Sequence, residues 1–247
     1  MKTRAWLVAV AVLAVPAAVR AQDKRPPDLR GAYPDGPRGT VGFAGGGLAL
    51  ALPVGQFGNY VSVGGGFNGF AGVKLARDGA ASIRLDGTFL IYGSETRHVP
   101  LSSTVQLVTV DVTTSNLIFN VGVGPQLTAT RGAIRPYVNG EVGFSYFGTV
   151  SSVRGSHNME SFAESTNFDD FTFALRGGGG LWIQLARGRT PVALDLSAHY
   201  IRNGRVSYLR EGSISFDLGG APIYHPIESE TNFWLAQIGV SLGLRPR

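Results

Sequence analysis

Between residues 40 and 244 the chain alternates apolar residues with small or polar ones, two residues to a period. That period belongs to β-strands whose two faces meet different surroundings. The last stretch, 231–244, is the most regular. Trp234, Ala236, Ile238, Val240, Leu242 and Leu244 form one face, while Gln237, Gly239, Ser241 and Gly243 lie on the other. Seven earlier stretches share the pattern: 40–53, 60–75, 81–92, 116–124, 137–150, 171–185 and 192–201. The first is the least regular, because glycines 45–47 and the run 48–52 blur its faces. In the second, Val61, Val63, Phe67, Ala71, Val73 and Leu75 share a face, and Phe70 breaks the alternation.

The connections differ in length. Tight turns are expected near 77–79, 130–133 and 187–189, a short loop at 56–59, and longer polar segments near 94–114, 152–168 and 203–230. An even number of strands, with short turns on one side and long loops on the other, is the pattern of a transmembrane barrel. Each stretch is also close to the length a tilted strand needs to cross a bilayer. The expected fold is therefore all-β, an eight-stranded antiparallel up-and-down transmembrane barrel. It occupies 40–247, with outer-membrane lipids against its apolar face.

The charges fit that assignment. Lys74, Arg84, Asp86, Glu141, Arg176, Asp195 and His199 all fall on the non-apolar face of their stretches. An Arg or Lys facing lipid at mid-membrane would cost about 2–4 kcal/mol. Eight strands enclose a space that side chains can fill. The permanent charges among these residues balance, three of each sign, so a paired network in the lumen is expected. Tyr60, Tyr92, Tyr146, Phe147, Phe171, Tyr200, Phe233 and Trp234 gather near the span ends, as interfacial aromatic girdles do.

Composition changes the picture mainly at the N-terminus. Lys2 and Arg4 precede a short apolar run, and Val19-Arg20-Ala21 offers a cleavage site, so 1–21 is expected to be a secretory signal peptide. Removing it leaves 19 basic and 17 acidic side chains, a balance that gives no reason to expect nucleic acid as a partner. Four prolines among charged residues make 22–39 an extended lead-in. The chain has no cysteine, which excludes disulfides, Cys-based metal sites, a Cys nucleophile and a lipoprotein anchor.

Taken together, the signal peptide, eight alternating stretches and closing strand resemble the small outer-membrane β-barrels of Gram-negative-type bacteria, such as the OmpA transmembrane domain and its OmpX-like relatives. Gln237, Gly239, Leu242 and Leu244 resemble the C-terminal signal that such proteins present to the barrel-assembly machinery. The resemblance implies that machinery as a partner and a place in the outer membrane. Because the sequence ends with the barrel, no C-terminal peptidoglycan-binding domain is expected.

Candidate chemistry is sparse. The run 177–180 is all glycine, but it lies within a strand and no Lys-Ser/Thr follows it, so lumen space and strand curvature explain it better than a phosphate cradle. Asp195, Ser197 and His199 share one strand face, the arrangement of a hydroxyl beside a base, but that face points into the lumen. His157, Glu160 and Glu164, with Asp169 and Asp170 nearby, suggest a solvated loop more than a hard-cation site, so neither metal nor cofactor is expected. The expected function is non-enzymatic: a structural or adhesin-like outer-membrane barrel, whose segments 94–114, 152–168 and 203–230 present a surface to an extracellular partner. A narrow pore, a lipid-modifying enzyme and a soluble exported ligand-binding barrel are the alternatives.

Overall fold

The structure is a computed structural model, and it describes residues 40–76, 78–100, 109–155, 161–187, 190–210, 212–216 and 222–245. The expected signal peptide and lead-in, 1–39, lie outside the described residues. Eight strands close into one antiparallel barrel. They are β1 (Gly42–Pro53), β2 (Gly64–Lys74), β3 (Ala81–Pro100), β4 (Thr109–Thr128), β5 (Ile134–Gly155), β6 (Ser161–Ala186), β7 (Val192–Asn203) and β12 (Phe233–Leu244). Between β7 and β12 lie four short strands, β8 (Arg205–Tyr208), β9 (Ile214–Phe216), β10 (Pro222–Tyr224) and β11 (Ile227–Glu230). These pair as β8 with β11 and β9 with β10. A 3-10 turn, Phe57–Asn59, follows β1.

Each barrel strand pairs with its chain neighbour, and β12 closes the ring against β1, from Gly42 opposite Leu244 to Pro53 opposite Phe233. Glycine makes that seam close. A Cβ built on Gly47 would collide with the Ile238 carbonyl and the Gly239 Cα, so the two backbones meet where no side chain fits. Gly47→Val is accordingly expected to cost about 1–3 kcal/mol through overpacking. Its check is loss of the compact, fast-migrating species on an unheated gel. Gly65→Val is the control, because a Cβ there meets nothing within 4 Å.

The ends of the barrel differ. The lower end carries the short turns, including Gly79 and Gly132 at positive φ (78° and 94°), where a side chain would be strained. At the upper end the strands outrun the barrel. Segments read from sequence as loops are largely strand: 94–100 and 109–114 lengthen β3 and β4, while 152–155 and 161–168 lengthen β5 and β6. Their Ser, Thr and Val residues suit pleated pairing whether or not a face is buried, and the alternation of apolar residues stops where the outer surroundings change.

The outer face is apolar all round. Leu48, Phe67, Leu85, Phe119, Val142, Phe173 and Ile238 are among the large side chains left open there. By register, none of the outward residues of β1 44–52, β2 65–73, β3 83–91, β4 117–127, β5 134–144, β6 171–185, β7 192–200 and β12 234–244 is an Asp, Glu, Lys, Arg or His. The face assignment has two exceptions. Val61 is buried, because it belongs to the connection before β2 and not to the strand. Phe70 points inward, where the Arg84 guanidinium stacks 4.0 Å from its ring. The aromatic girdle is also thinner than expected. Tyr92, Phe147 and Phe233 are buried in the interior, whereas Tyr60, Phe171 and Trp234 face out and Tyr200 packs on Trp234 at 5.2 Å.

Candidate functional site

The interior is layered. At its lower end Phe43, Phe70, Tyr137, Trp182 and Ala193 form an apolar cluster, with Phe43 and Trp182 edge to face at 4.9 Å. Above it lies the charged layer. Arg84 grips Asp86 through two bonds, Nε to Oδ2 at 2.5 Å and Nη2 to Oδ1 at 3.0 Å, and donates a third to Gln126 Oε1 at 3.1 Å. These two residues share a strand face two positions apart, so their pairing is local in sequence. Arg176, across the barrel, joins the layer together. Its Nη2 lies 3.2 Å from Asp86 Oδ1 and donates to Gln237 Oε1 at 3.1 Å, while its Nε lies 3.8 Å from Glu141 Oε2. Arg84, Asp86, Glu141, Arg176, Asp195 and His199 are all buried.

Lys74 stands apart. It is half-buried at the lower mouth and donates to Thr40 Oγ1. The enclosed layer therefore holds two guanidinium groups and three carboxylates, and neutral groups supply part of its remaining hydrogen bonding, while Glu141 Oε2 and Arg176 Nη1 have no hydrogen-bond partner. Tyr137 donates to Asp195 at 2.7 Å, and Asn139 to Glu141 at 2.5 Å. His199 joins Asn139 Oδ1 at 2.9 Å and the Arg176 guanidinium at 3.3 Å. Ser197 donates to Gln237 Oε1 at 3.0 Å, so the hydroxyl and imidazole on β7 have different partners and are not bonded to each other. The arrangement is that of a hydrogen-bonded polar core.

The terminal-strand residues divide by face. Gln237 points inward and accepts from both Arg176 and Ser197; Gly239 sits where a Cβ would meet the Gly46 carbonyl at 2.5 Å; Leu244 faces out. Of the residues considered for a cation, His157 and Glu160 lie outside the described residues.

A second apolar layer closes the top. Leu90, Ile118, Ile201, Leu235, Tyr92, Phe147 and Phe233 from the strands meet Phe57 from the turn after β1 and Tyr208 from β8. The Phe57 ring lies edge to face with Tyr92, Phe147 and Tyr208, at 5.8, 6.0 and 5.3 Å. Tyr208 also hydrogen-bonds Ser229 at 3.0 Å, and burial holds its phenol above the usual range, so it remains neutral. Phe57 and Tyr208 sit in connections without periodicity, and only the closed topology brings them over the mouth. Arg135 and Gln126 were also missed as interior residues, since they lie just beyond the alternating stretches 137–150 and 116–124.

Above the plug, β3 to β6 continue as a raised four-stranded sheet. Among the described residues β3 has no β2 partner beyond Ile91, and β6 has no β7 partner before Ala174. Hydroxyl pairs cross the sheet, Thr96 with Thr113 at 2.9 Å and Thr114 with Ser151 at 2.8 Å. The β8–β11 lobe bridges the gap between its two edges. Ser207 N donates to Asp170 on β6 at 2.9 Å, and Gly212 N donates to Glu95 on β3 at 3.3 Å.

The chain matches the crystal structure of Neisserial surface protein A (NspA) with a TM-score of 0.47 and 11% identity, over 83% of this chain and 97% of that one. It matches Ail, the attachment invasion locus protein of Yersinia pestis, with a TM-score of 0.42 and 12% identity, over 83% and 98%. Ail in complex with the heparin analogue sucrose octasulfate matches with a TM-score of 0.40 and 10% identity, over 81% and 96%. No protein-family model matches the chain, and no curated protein matches it in sequence.

Proposed function

We propose that this protein is a non-enzymatic integral outer-membrane barrel that presents a raised β-sheet as a surface for protein partners. The membrane reading is supported by polarity. The outer face of the barrel strands is apolar and free of charge, while the interior holds Arg84, Asp86, Glu141 and Arg176. A soluble ligand-binding barrel has the opposite arrangement. Monomeric soluble proteins seldom expose an apolar patch above a few hundred Å². The signal peptide at 1–21 supports export, and the assembly machinery would recognise the strand ending in Gln237, Gly239, Leu242 and Leu244.

The observation that carries the surface role is the pair of edges on the raised sheet, at 96–100 of β3 and 161–168 of β6, which have no further strand partner among the described residues. A strand edge without a partner offers backbone donors and acceptors to an extended chain. The plugged interior argues against the pore. The test is adhesion of cells displaying the protein to immobilised extracellular-matrix proteins, with and without the 94–114 hairpin shortened to a two-residue turn. Adhesion should fall while heat-modifiable mobility is kept. Unchanged adhesion on every matrix protein would contradict the surface role, and steady single-channel conductance in planar bilayers would favour the pore.

A further inference from the structure

The lower mouth holds a feature that the surface role does not use. A small cavity of about 20 Å³ opens there, lined by Thr40, Lys74, Arg135, Trp182, Gln184 and Ser241 among others. None of its lining residues is acidic. Arg135 is only 7% exposed, its guanidinium lies 5.5 Å from the Trp182 ring, and its Nε has no hydrogen-bond partner. Lys74 lines the same cavity from β2, with the Thr40 hydroxyl as its partner. Neither cation forms an ion pair among the described residues. This contrasts with the layer above, where each guanidinium faces a carboxylate.

Two like charges on one concave, partly buried site raise the local potential and leave a cost that an anion would remove. A guanidinium suits an oxyanion best, since its planar donors match two oxygens at once, and an ammonium adds a point charge. The cavity has room for one small polar group. We propose that Lys74 and Arg135 form an oxyanion-binding pocket at the short-turn mouth of the barrel, taking a phosphate group, free or on a lipid headgroup. The indole of Trp182 forms one wall and reports on occupancy.

The chain offers a direct test. Apart from Trp6 in the expected signal peptide, its tryptophans are Trp182 and Trp234, one on the cavity and one on the outer face. The mature protein is labelled at the indole nitrogens and refolded in a phosphate-free detergent. It is titrated with sodium phosphate against sodium chloride of equal ionic strength. In a second arm it is placed in bicelles with and without phosphatidylglycerol. The Trp182 signal should shift saturably while Trp234 stays still. Lys74→Gln and Arg135→Gln should each weaken the response about tenfold. Lys74→Gln removes a half-buried group and keeps the test valid if Arg135→Gln fails to fold. A response to phosphate identifies a free oxyanion, and a response to phosphatidylglycerol alone identifies a headgroup. No response to either, an equal response to chloride, or a shift that survives both substitutions overturns the proposal.

Discussion

Replacing Arg176 with methionine is expected to destabilise the barrel by about 3–5 kcal/mol, the cost of leaving buried charge without its partner. Arg176 is the one guanidinium within reach of Glu141 among the described residues, and it also holds Asp86, His199 and Gln237. Asp86 keeps Arg84 after the change, but Glu141 keeps only the neutral Asn139 donor. The enclosed layer then holds three carboxylates against one cation, all of them buried. Urea unfolding of the protein refolded into lipid vesicles, followed by gel mobility, reads the loss. Arg205→Ala serves as comparison, because its 3.2 Å pair with Glu228 is 64% and 63% exposed. Exposed pairs contribute about 0–1 kcal/mol. Adding Glu141→Gln to Arg176→Met should restore about 1–3 kcal/mol, since the two residues act in one network. If Arg176→Met costs no more than Arg205→Ala, the charged layer is not what holds the interior together.

The second large effect is on the opposite face. Val142 lies mid-strand on β5, between Val123 and Leu175, and its side chain is 52% exposed with apolar neighbours on both sides. In a bilayer, Val142→Arg should cost about 2–4 kcal/mol. In water the same change at an exposed position would be worth within about 0.5 kcal/mol either way. Folding yield and urea midpoint in vesicles therefore separate the two surroundings at one residue. A near-zero effect in vesicles would mean that lipid does not touch this face.

Parity explains why so much of this architecture was legible from residues alone. A strand in a barrel sends alternate side chains to two solvents, so Trp234 to Leu244 and Gln237 to Gly243 could be assigned to opposite faces without coordinates. Ionisable side chains reinforced the assignment, because a charge tolerates only one of those faces. Phe70 shows the limit of the rule. An inward position can hold an aromatic ring when an arginine stacks on it, and no local pattern signals the arginine of the next strand. Arg135 was missed for a related reason. Its strand begins at Ile134, ahead of the stretch 137–150 in which the alternation is clear.

The plug was not legible at all. Phe57 and Tyr208 are separated by most of the chain and meet only because β12 returns to β1. Nor did composition reveal that 94–100, 109–114, 152–155 and 161–168 continue the strands. Polar Ser and Thr runs look like loops unless a neighbouring strand is present to pair with them. That difference matters for function, since a raised sheet with fixed edges is a more definite recognition surface than a set of free loops.

The central claim is that the apolar face of this barrel lies in lipid. Fractionation of cells expressing the full chain, with gel mobility compared before and after boiling, tests it most directly. The account predicts recovery in the outer membrane, with a compact species that migrates fast unheated and shifts on boiling. Recovery in the soluble periplasm, with one mobility at both temperatures, would contradict it.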